Sequence, residues 1–445
     1  MMMSTRLTVS LAAMLMLSCE ERNPAYCRWH PTDVSCGADQ GVPPMICTSD
    51  DQCTESAPIC DMTNAMCVEC TAGRSGACVG VAPVCGIGGG CRGCVSDAEC
   101  ASMTCLPDGA CAEPVDVLFV SPDGSVASIC MPAEKCSLPR AIALIDGTKS
   151  TIRLDPGAYD LDAPLALNVS MRIVGRDAVI DRDQRGTGPT LLIGEGASIA
   201  LDFVSVEGGD GAGVGIGIGC TNSSLTARDV TVQGNAAHGI SASGCTLSLL
   251  RTRVALNQGI GISATGGSLA LTRSVVLGNT SGGVLITGAQ FDLENDLVVR
   301  NGGAFSLFGG VLLTQIAPGS PHVFDFNTVA NNLASPMMTP GVVCSVVGTP
   351  LALTNSIAFG NEAGLQVEGS NCSWSYSDIG PIPLSGTGNR SLDPQFVDPL
   401  HSDFHLRASS PLQGLADPAA MLSVDLDGDP RPLGSGPDMG ADEIR

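Results

Sequence analysis

Lysine is almost missing from this chain. Lys135 and Lys149 are its only two, and 22 basic residues face 45 acidic ones for a formal net charge of −23. A polyanion gains nothing by approaching such a surface, so nucleic acid is excluded as a partner and an anionic membrane surface is disfavoured. Aromatic residues make up 3% of the sequence. That is little material for an aromatic core, and it suits a thin structure lined by aliphatic side chains. Beyond residue 19 no apolar run is long enough to span a bilayer, and no stretch sustains a helical period.

What is present is a repeat. Leu225, Leu247, Leu269 and Phe291 stand 22 residues apart, as do Val232, Val254, Val276 and Val298. Asn235, Asn257, Asn279 and Asn301 follow at the same spacing, and Gly244, Gly266, Gly288 and Gly310 close the units. A fixed period of this length is the mark of a solenoid. Within a unit apolar and polar residues alternate, as in Leu269-Ala270-Leu271 and Val284-Leu285-Ile286, which is the strand period. Three short strands per unit are expected, near 269–271, 274–277 and 283–286, with Gly and Asn at the corners. The fold class is therefore all-β, a parallel β-helix whose like residues stack roughly 4.8 Å apart. A side-chain amide both donates and accepts, so the stacked asparagines are expected to form a ladder that fixes register. Asn332 and Asn361 extend it where the period loosens.

These units resemble the repeats of right-handed parallel β-helix proteins of the pectate-lyase-like superfamily, over roughly residues 115–445. The resemblance implies a right-handed solenoid of about ten coils. It is specific for fold and silent on activity.

The chain before the solenoid reads differently. Residues 1–19 have a basic start at Arg6, a short apolar run and the string Leu15-Met16-Leu17-Ser18-Cys19, the pattern of a secretory signal. That string is similar to a bacterial lipobox with Cys19 as the lipidated residue, although Met16 departs from the usual Leu. It implies attachment to a membrane through a lipid anchor only, at the outer membrane or cell surface; cleavage without lipidation would leave a secreted protein. Twenty cysteines remain, fourteen of them within residues 27–111. In an exported chain this is a disulfide framework rather than zinc knuckles, so no metal is assigned to it. Cys47, Cys53, Cys60, Cys67 and Cys70 are spaced much like Cys70, Cys78, Cys85, Cys91 and Cys94, with a partial third copy at Cys94, Cys100, Cys105 and Cys111. Their connectivity does not follow from spacing. The segment resembles, weakly, cysteine-rich repeats near the amino terminus of some bacterial surface lipoproteins.

The divisions expected are a lipoprotein signal at 1–19, a cysteine-rich disulfide module at 20–114, an amino-terminal cap at 115–150, the parallel β-helix at 151–390 and a carboxy-terminal cap or tail at 391–445. In the cap Cys130 and Cys136 are expected to bridge, beside a short helix at 138–145. Similar openings in bacterial β-helix proteins imply that this helix plugs the first coil. Gly219-Cys220 and Gly244-Cys245 occupy matching places in successive units if three residues are inserted. A Cys220–Cys245 staple between coils follows, because one coil lies within disulfide reach. Cys344 and Cys372 are left to pair. The tail, with Asp425-Leu-Asp-Gly-Asp429 and Pro437-Asp-Met-Gly-Ala-Asp-Glu443, resembles the carboxy-terminal part of many bacterial β-helix proteins, and so is expected to cover the last coil.

Chemistry is harder to find. Lyases similar in fold use an Arg or Lys base beside carboxylate-bound calcium; here both lysines fall in the amino-terminal cap. Asp229, Arg251 and Arg273 share a column, read as a surface charge ladder. A glycosidase needs two carboxylates about 5–9.5 Å apart. Asp292, Glu294 and Asp296 alternate with Phe291, Leu293 and Leu297, should project together from one strand face, and are the weak catalytic candidates, against a solvated outer face. His238 is read as a turn residue. Asp425, Asp427 and Asp429 are weak calcium candidates, because Gly428 is misplaced for an EF-hand loop and an acidic turn is the default. Trp374 and Tyr376 could stack on a sugar or pack a cap. No cofactor is called for beyond that calcium alternative, and the oligomeric state is unknown.

The reading is an exported, lipid-anchored surface protein with a non-catalytic binding or structural role towards polysaccharide or other cell-surface components. The alternative is a polysaccharide lyase or glycoside hydrolase on the same fold.

Overall fold

The computed structural model describes residues 47–182, 188–208, 215–316, 321–347, 350–362 and 365–445. Cys19 and its lipobox, Cys27, Cys36, and Gly209 at the foot of the asparagine ladder lie outside them. The chain divides into two compact units. Among the described residues the smaller comprises 47–78 together with 85–91, and the larger comprises 79–84 and those from 92 onward.

In the smaller unit two four-cysteine knots follow one another. Cys47–Cys60 and Cys53–Cys67 form the first, Cys70–Cys85 and Cys78–Cys91 the second. Each links first to third and second to fourth cysteine. Cys94–Cys105 and Cys100–Cys111 repeat that connectivity in the larger unit. There Leu106 packs against Val117 and Phe119 of the first solenoid strand, and Asp97 pairs with Arg153 at 3.2 Å. The third knot thus belongs with the solenoid.

The solenoid is a parallel coil with three strands per turn. In one turn these are Ser268–Thr272, Val275–Leu277 and Gly282–Thr287. Stacking the turns builds a first sheet of nine strands, from Leu165–Leu167 to Val367–Ser370. The second and third sheets run beside it, and two long strands, Met171–Asp181 and Ser198–Glu207, pass through both. Like residues stand in register. Leu225, Leu247, Leu269 and Phe291 form one inward column, and Val232, Val254, Val276 and Val298 another. All are buried. The helix at the amino-terminal end runs Leu138–Ala143, shorter than 138–145, and puts Leu138 and Ala141 into the same core as Leu118 and Ile152.

The asparagines stack as a continuous buried ladder. Each side-chain oxygen accepts both the backbone N–H and the amide N–H of the asparagine one coil before, from Asn235 on Asn257 (3.1 and 2.8 Å) through Asn279, Asn301 and Asn332 to Asn361. Gln366 caps the series by accepting from Asn361.

Cys220–Cys245 and Cys344–Cys372 are bonded, as is Cys130–Cys136. Cys220 and Cys245 are not equivalent positions, however. Cys220 stands in register with Ala242, so Cys245 lies three residues further on, past the corner. Cys344 is aligned with Gly369 and bonded to Cys372, the same offset. Each bridge ties a first-sheet strand to the start of the next coil's second sheet, across the buried side of the corner. Replacing Cys220 and Cys245 together by alanine should cost about 3–4 kcal/mol, as for a loop of a few tens of residues. Urea unfolding of the purified protein would measure it, and a loss below 1 kcal/mol would mean that the stacked coils already restrain the unfolded chain there.

The carboxy-terminal tail does not cover the last coil, as its resemblance implied. It runs back along the outer flank of the third sheet. Leu426 O accepts from Arg273 Nε (3.0 Å), Val424 O from Asn295 (2.9 Å), and Thr328 Oγ1 from the Ala441 N–H (3.0 Å). The reason is apolar. Outward-facing Ala255, Leu277, Leu297, Val299 and Ala330 would be exposed on this sheet, and Phe404, Leu426 and Ala441 cover them. The last coil is instead closed by residues 386–392, through Tyr376 N–H to Thr387 O (2.7 Å) and Ile379 N–H to Arg390 O (2.9 Å).

Candidate functional site

Asp292 and Glu294 alternate with buried Phe291 and Leu293 on the strand Gln290–Glu294, so both project from the outer face of the second sheet. Asp296 does not join them. Asn295 takes a left-handed backbone (φ 57°) that breaks the alternation, and Asp296 turns into the solenoid, fully buried. The same corner carries left-handed residues in every neighbouring coil, at Asp229, Arg251, Arg273, Asn295, Phe326, Asn355 and Tyr376. The residue after each points inward, and from Thr252 onward these make a second buried ladder. Thr252 N–H donates to Ser274 Oγ (3.0 Å), Ser274 N–H to Asp296 Oδ1 (2.8 Å), Asp296 N–H to Asn327 Oδ1 (3.1 Å), and the series runs on through Ser356 to Ser377. Asp296 is a rung.

The third outer carboxylate is Asp325, in register beside Glu294 on the next coil. It escaped the sequence reading because an inserted loop places it 31 residues after Glu294 rather than 22. Matching Leu293-Glu294 to Phe324-Asp325 would have found it. Asp325 Oδ1 accepts from Thr354 Oγ1 and Asn355 Nδ2, both at 2.8 Å. Burial, then the charges of Asp292 and Asp325, push Glu294 up to about 7. Burial and Asp325 likewise raise Asp292. Replacing Asp292 by Asn should therefore lower the Glu294 titration, and carboxyl-carbon NMR would read it. An unchanged midpoint would mean that burial and Asp325 set it without Asp292.

Arg251, Arg273, Arg431 and the two lysines of the amino-terminal cap are engaged elsewhere. Arg251 is bidentate on Asp229 (2.7 and 2.6 Å), and Arg273 holds the tail. Arg431, buried over the Phe326 ring at 4.0 Å, donates to Asp438 O and Gly440 O and faces Glu443. Lys135 pairs with Asp155, and Lys149 donates to Val115 O. Trp374 is no sugar platform: it is 7% exposed, inside the core, edge-on to Phe324 at 5.7 Å. Tyr376 sits at the corner against Gly388. His238 accepts the Ile260 N–H at 2.9 Å (Nδ1) between successive corners.

Around the other corner, between the first and second sheets, the outer surface is hydroxyl-rich. Thr221, Ser243, Thr265, Thr287 and Thr314 form one row in register. Ser198, Ser224, Thr246 and Ser268 form a second. Left-handed Asn222, Gly244, Gly266 and Gly288 keep the ridge between them low.

In the tail, Asp425 is buried. Its Oδ1 accepts the N–H groups of Asp427, Gly428 and Asp429 (3.0, 2.9 and 2.8 Å) and its Oδ2 that of Glu443 (3.0 Å). Asp429 pairs with Arg445. Asp425 therefore closes an acidic turn, with its lone pairs on the backbone.

Residues 216–377 match the family model described as the right handed beta helix region. The solenoid is a right-handed β-helix. Among solved structures, the β-helix resembles that of pectate lyase Pel9A with a TM-score of 0.52 at 15% identity, covering 74% of this chain and 96% of that one. The A-module of mannuronan C-5 epimerase AlgE4 from Azotobacter vinelandii gives a TM-score of 0.34 at 14% identity, over 55% of this chain and 81% of that one. At such identities the shared property is the fold. No curated protein matches the sequence significantly.

Proposed function

We propose that this β-helix is a non-catalytic polysaccharide-binding protein of the cell surface, held there by a lipid on Cys19. The observation that carries the reading is the hydroxyl-lined flank of the first and second sheets. The tail leaves this flank free, and its in-register rows repeat once per coil, as sugar hydroxyls repeat along a glycan. The pectate-lyase-like fold supports a polysaccharide-related role at the level of architecture. The engaged arginines beside Asp292, Glu294 and Asp325 weigh against proton abstraction by a cationic base.

A second reading rests on Glu294. A carboxyl raised to about 7 beside two others is the pairing a glycoside hydrolase uses as acid and base. Release of reducing sugar or unsaturated uronate from a polysaccharide panel, with and without calcium, separates the two. Release abolished by joint Asp292→Asn, Glu294→Gln and Asp325→Asn substitution would establish the enzyme. Retention on one polysaccharide without release would establish the binding protein. Neither release nor retention would leave a structural surface role. For the anchor, Cys19→Ser should move the protein from membrane to soluble fractions and abolish labelling by radioactive palmitate; unchanged fractionation and labelling would sink it.

A further inference from the structure

The tail brings together a histidine and carboxylates from three separate backbone segments. His405 comes from the strand Asp403–Leu406, Asp427 from the turn closed by Asp425, and Asp442 from the stretch that covers the third sheet. One ligand atom from each of His405, Asp427 and Asp442 lies within 4.8 Å of the other two. Asp442 is 8% exposed and its Oδ2 accepts the Leu406 N–H. Asp427 is exposed, so the constellation is open to solvent on one side.

The imidazole is oriented from behind. Its Nδ1 lies 2.6 Å from Asp403 Oδ1, and its Nε2 lies 2.9 Å from Asp427 Oδ2. With the Nδ1 proton donated to Asp403, the neutral ring presents a lone pair at Nε2, aimed at an oxygen that is also an acceptor. Two acceptors at that distance need either a proton or a metal ion to join them. A proton on Nε2 would serve that one contact and leave three carboxylates around one positive charge. A dication would serve Nε2, Asp427 and Asp442 together. A carboxylate on the far ring nitrogen is the usual outer partner of a metal-bound histidine. The nearby guanidinium of Arg431 faces its own carboxylate, Glu443. We propose that His405, Asp427 and Asp442 bind a transition-metal dication of the zinc type, with Asp403 as a positioning residue. The ring nitrogen selects against calcium, which takes oxygen ligands.

The test uses the full chain, stripped with chelator and titrated with zinc chloride by calorimetry, and with cobalt(II) followed by its visible absorption. The expected result is one equivalent of zinc and a cobalt spectrum of low coordination number. Both should be lost in His405→Gln and in Asp427→Asn, the latter an exposed position that tolerates substitution. Asp403→Asn should weaken zinc binding about 10- to 100-fold without changing the stoichiometry. His401→Gln, exposed and paired among the described residues with Asp398 alone, should bind as the parent does. Absence of zinc binding, or equal binding by parent and His405→Gln with melting curves unchanged, would overturn the site and leave His405 as a protonated bridge between two aspartates.

Discussion

Asp296→Asn should make the protein more stable at neutral pH, by about 1–3 kcal/mol. Asp296 is a rung of the ladder at the second corner, and among the described residues only one of its oxygens has a donor: Oδ1 takes the Ser274 N–H, while Oδ2 is buried without a partner. Its neighbours show what belongs there. Ser274 Oγ reaches back to Leu249 O (3.4 Å) and Asn327 Nδ2 to Leu293 O (2.8 Å). Leu249, Leu271 and Leu293 are in register, so the group facing Asp296 Oδ2 is the Leu271 carbonyl, another acceptor. The rung is complete only when Asp296 carries a proton. Burial, with Glu294 and Asp292 adding to it, holds this carboxyl well above its ordinary 3.8.

The sign follows from that direction. A carboxyl raised in the folded state favours folding fully below its unfolded value near 3.8. The contribution is lost as pH climbs from there through the folded value, because the unfolded chain gains by ionising. The parent should therefore lose stability over this window relative to Asp296→Asn, whose amide donates at every pH. The difference between the two should shrink towards pH 4. Asp296→Ala removes the acceptor of the Ser274 N–H and should be less stable than the parent at low pH. Urea unfolding from pH 4 to 8 measures all three. Parallel curves for the parent and the asparagine variant would show that Asp296 is ionised in the fold.

Asn279→Ala should cost more, about 3–6 kcal/mol. The side chain sits mid-ladder with no exposure. Removing it strips the acceptor from the backbone N–H (3.1 Å) and the amide (2.8 Å) of Asn257, and the donor from Val254 O (3.0 Å). Each buried group left unpaired costs about 1–3 kcal/mol. Ser248→Ala, on the outer face one sheet away, should change stability by no more than about 0.5 kcal/mol. A cost below 1 kcal/mol for Asn279→Ala would mean that apolar stacking alone holds the coils in register.

The repeat makes the solenoid legible in the sequence alone. A 22-residue period with alternating Leu and Val leaves one way to bury the apolar columns, and asparagine at a constant place marks a corner where stacked amides can bond. Those are local rules repeated coil after coil, so sequence spacing is spatial spacing. The candidate site was only half legible for the same reason. Asp292 and Glu294 obey alternation and face outward, but one left-handed residue, Asn295, turns Asp296 inward. A single backbone dihedral can do this without leaving a mark in the apolar pattern. Asp325 lies in contact with Glu294 through an insertion that spacing does not register.

By itself, then, the sequence determined the class of fold, the inward columns and the asparagine rungs, because each depends on the period. Only the tertiary structure decided which carboxylates meet, where the tail lies and how the knots are joined. The tail binds the third sheet through residues such as Arg273 and Leu426, 153 positions apart. Contacts at that range depend on which apolar flank is left uncovered, and no local pattern encodes it.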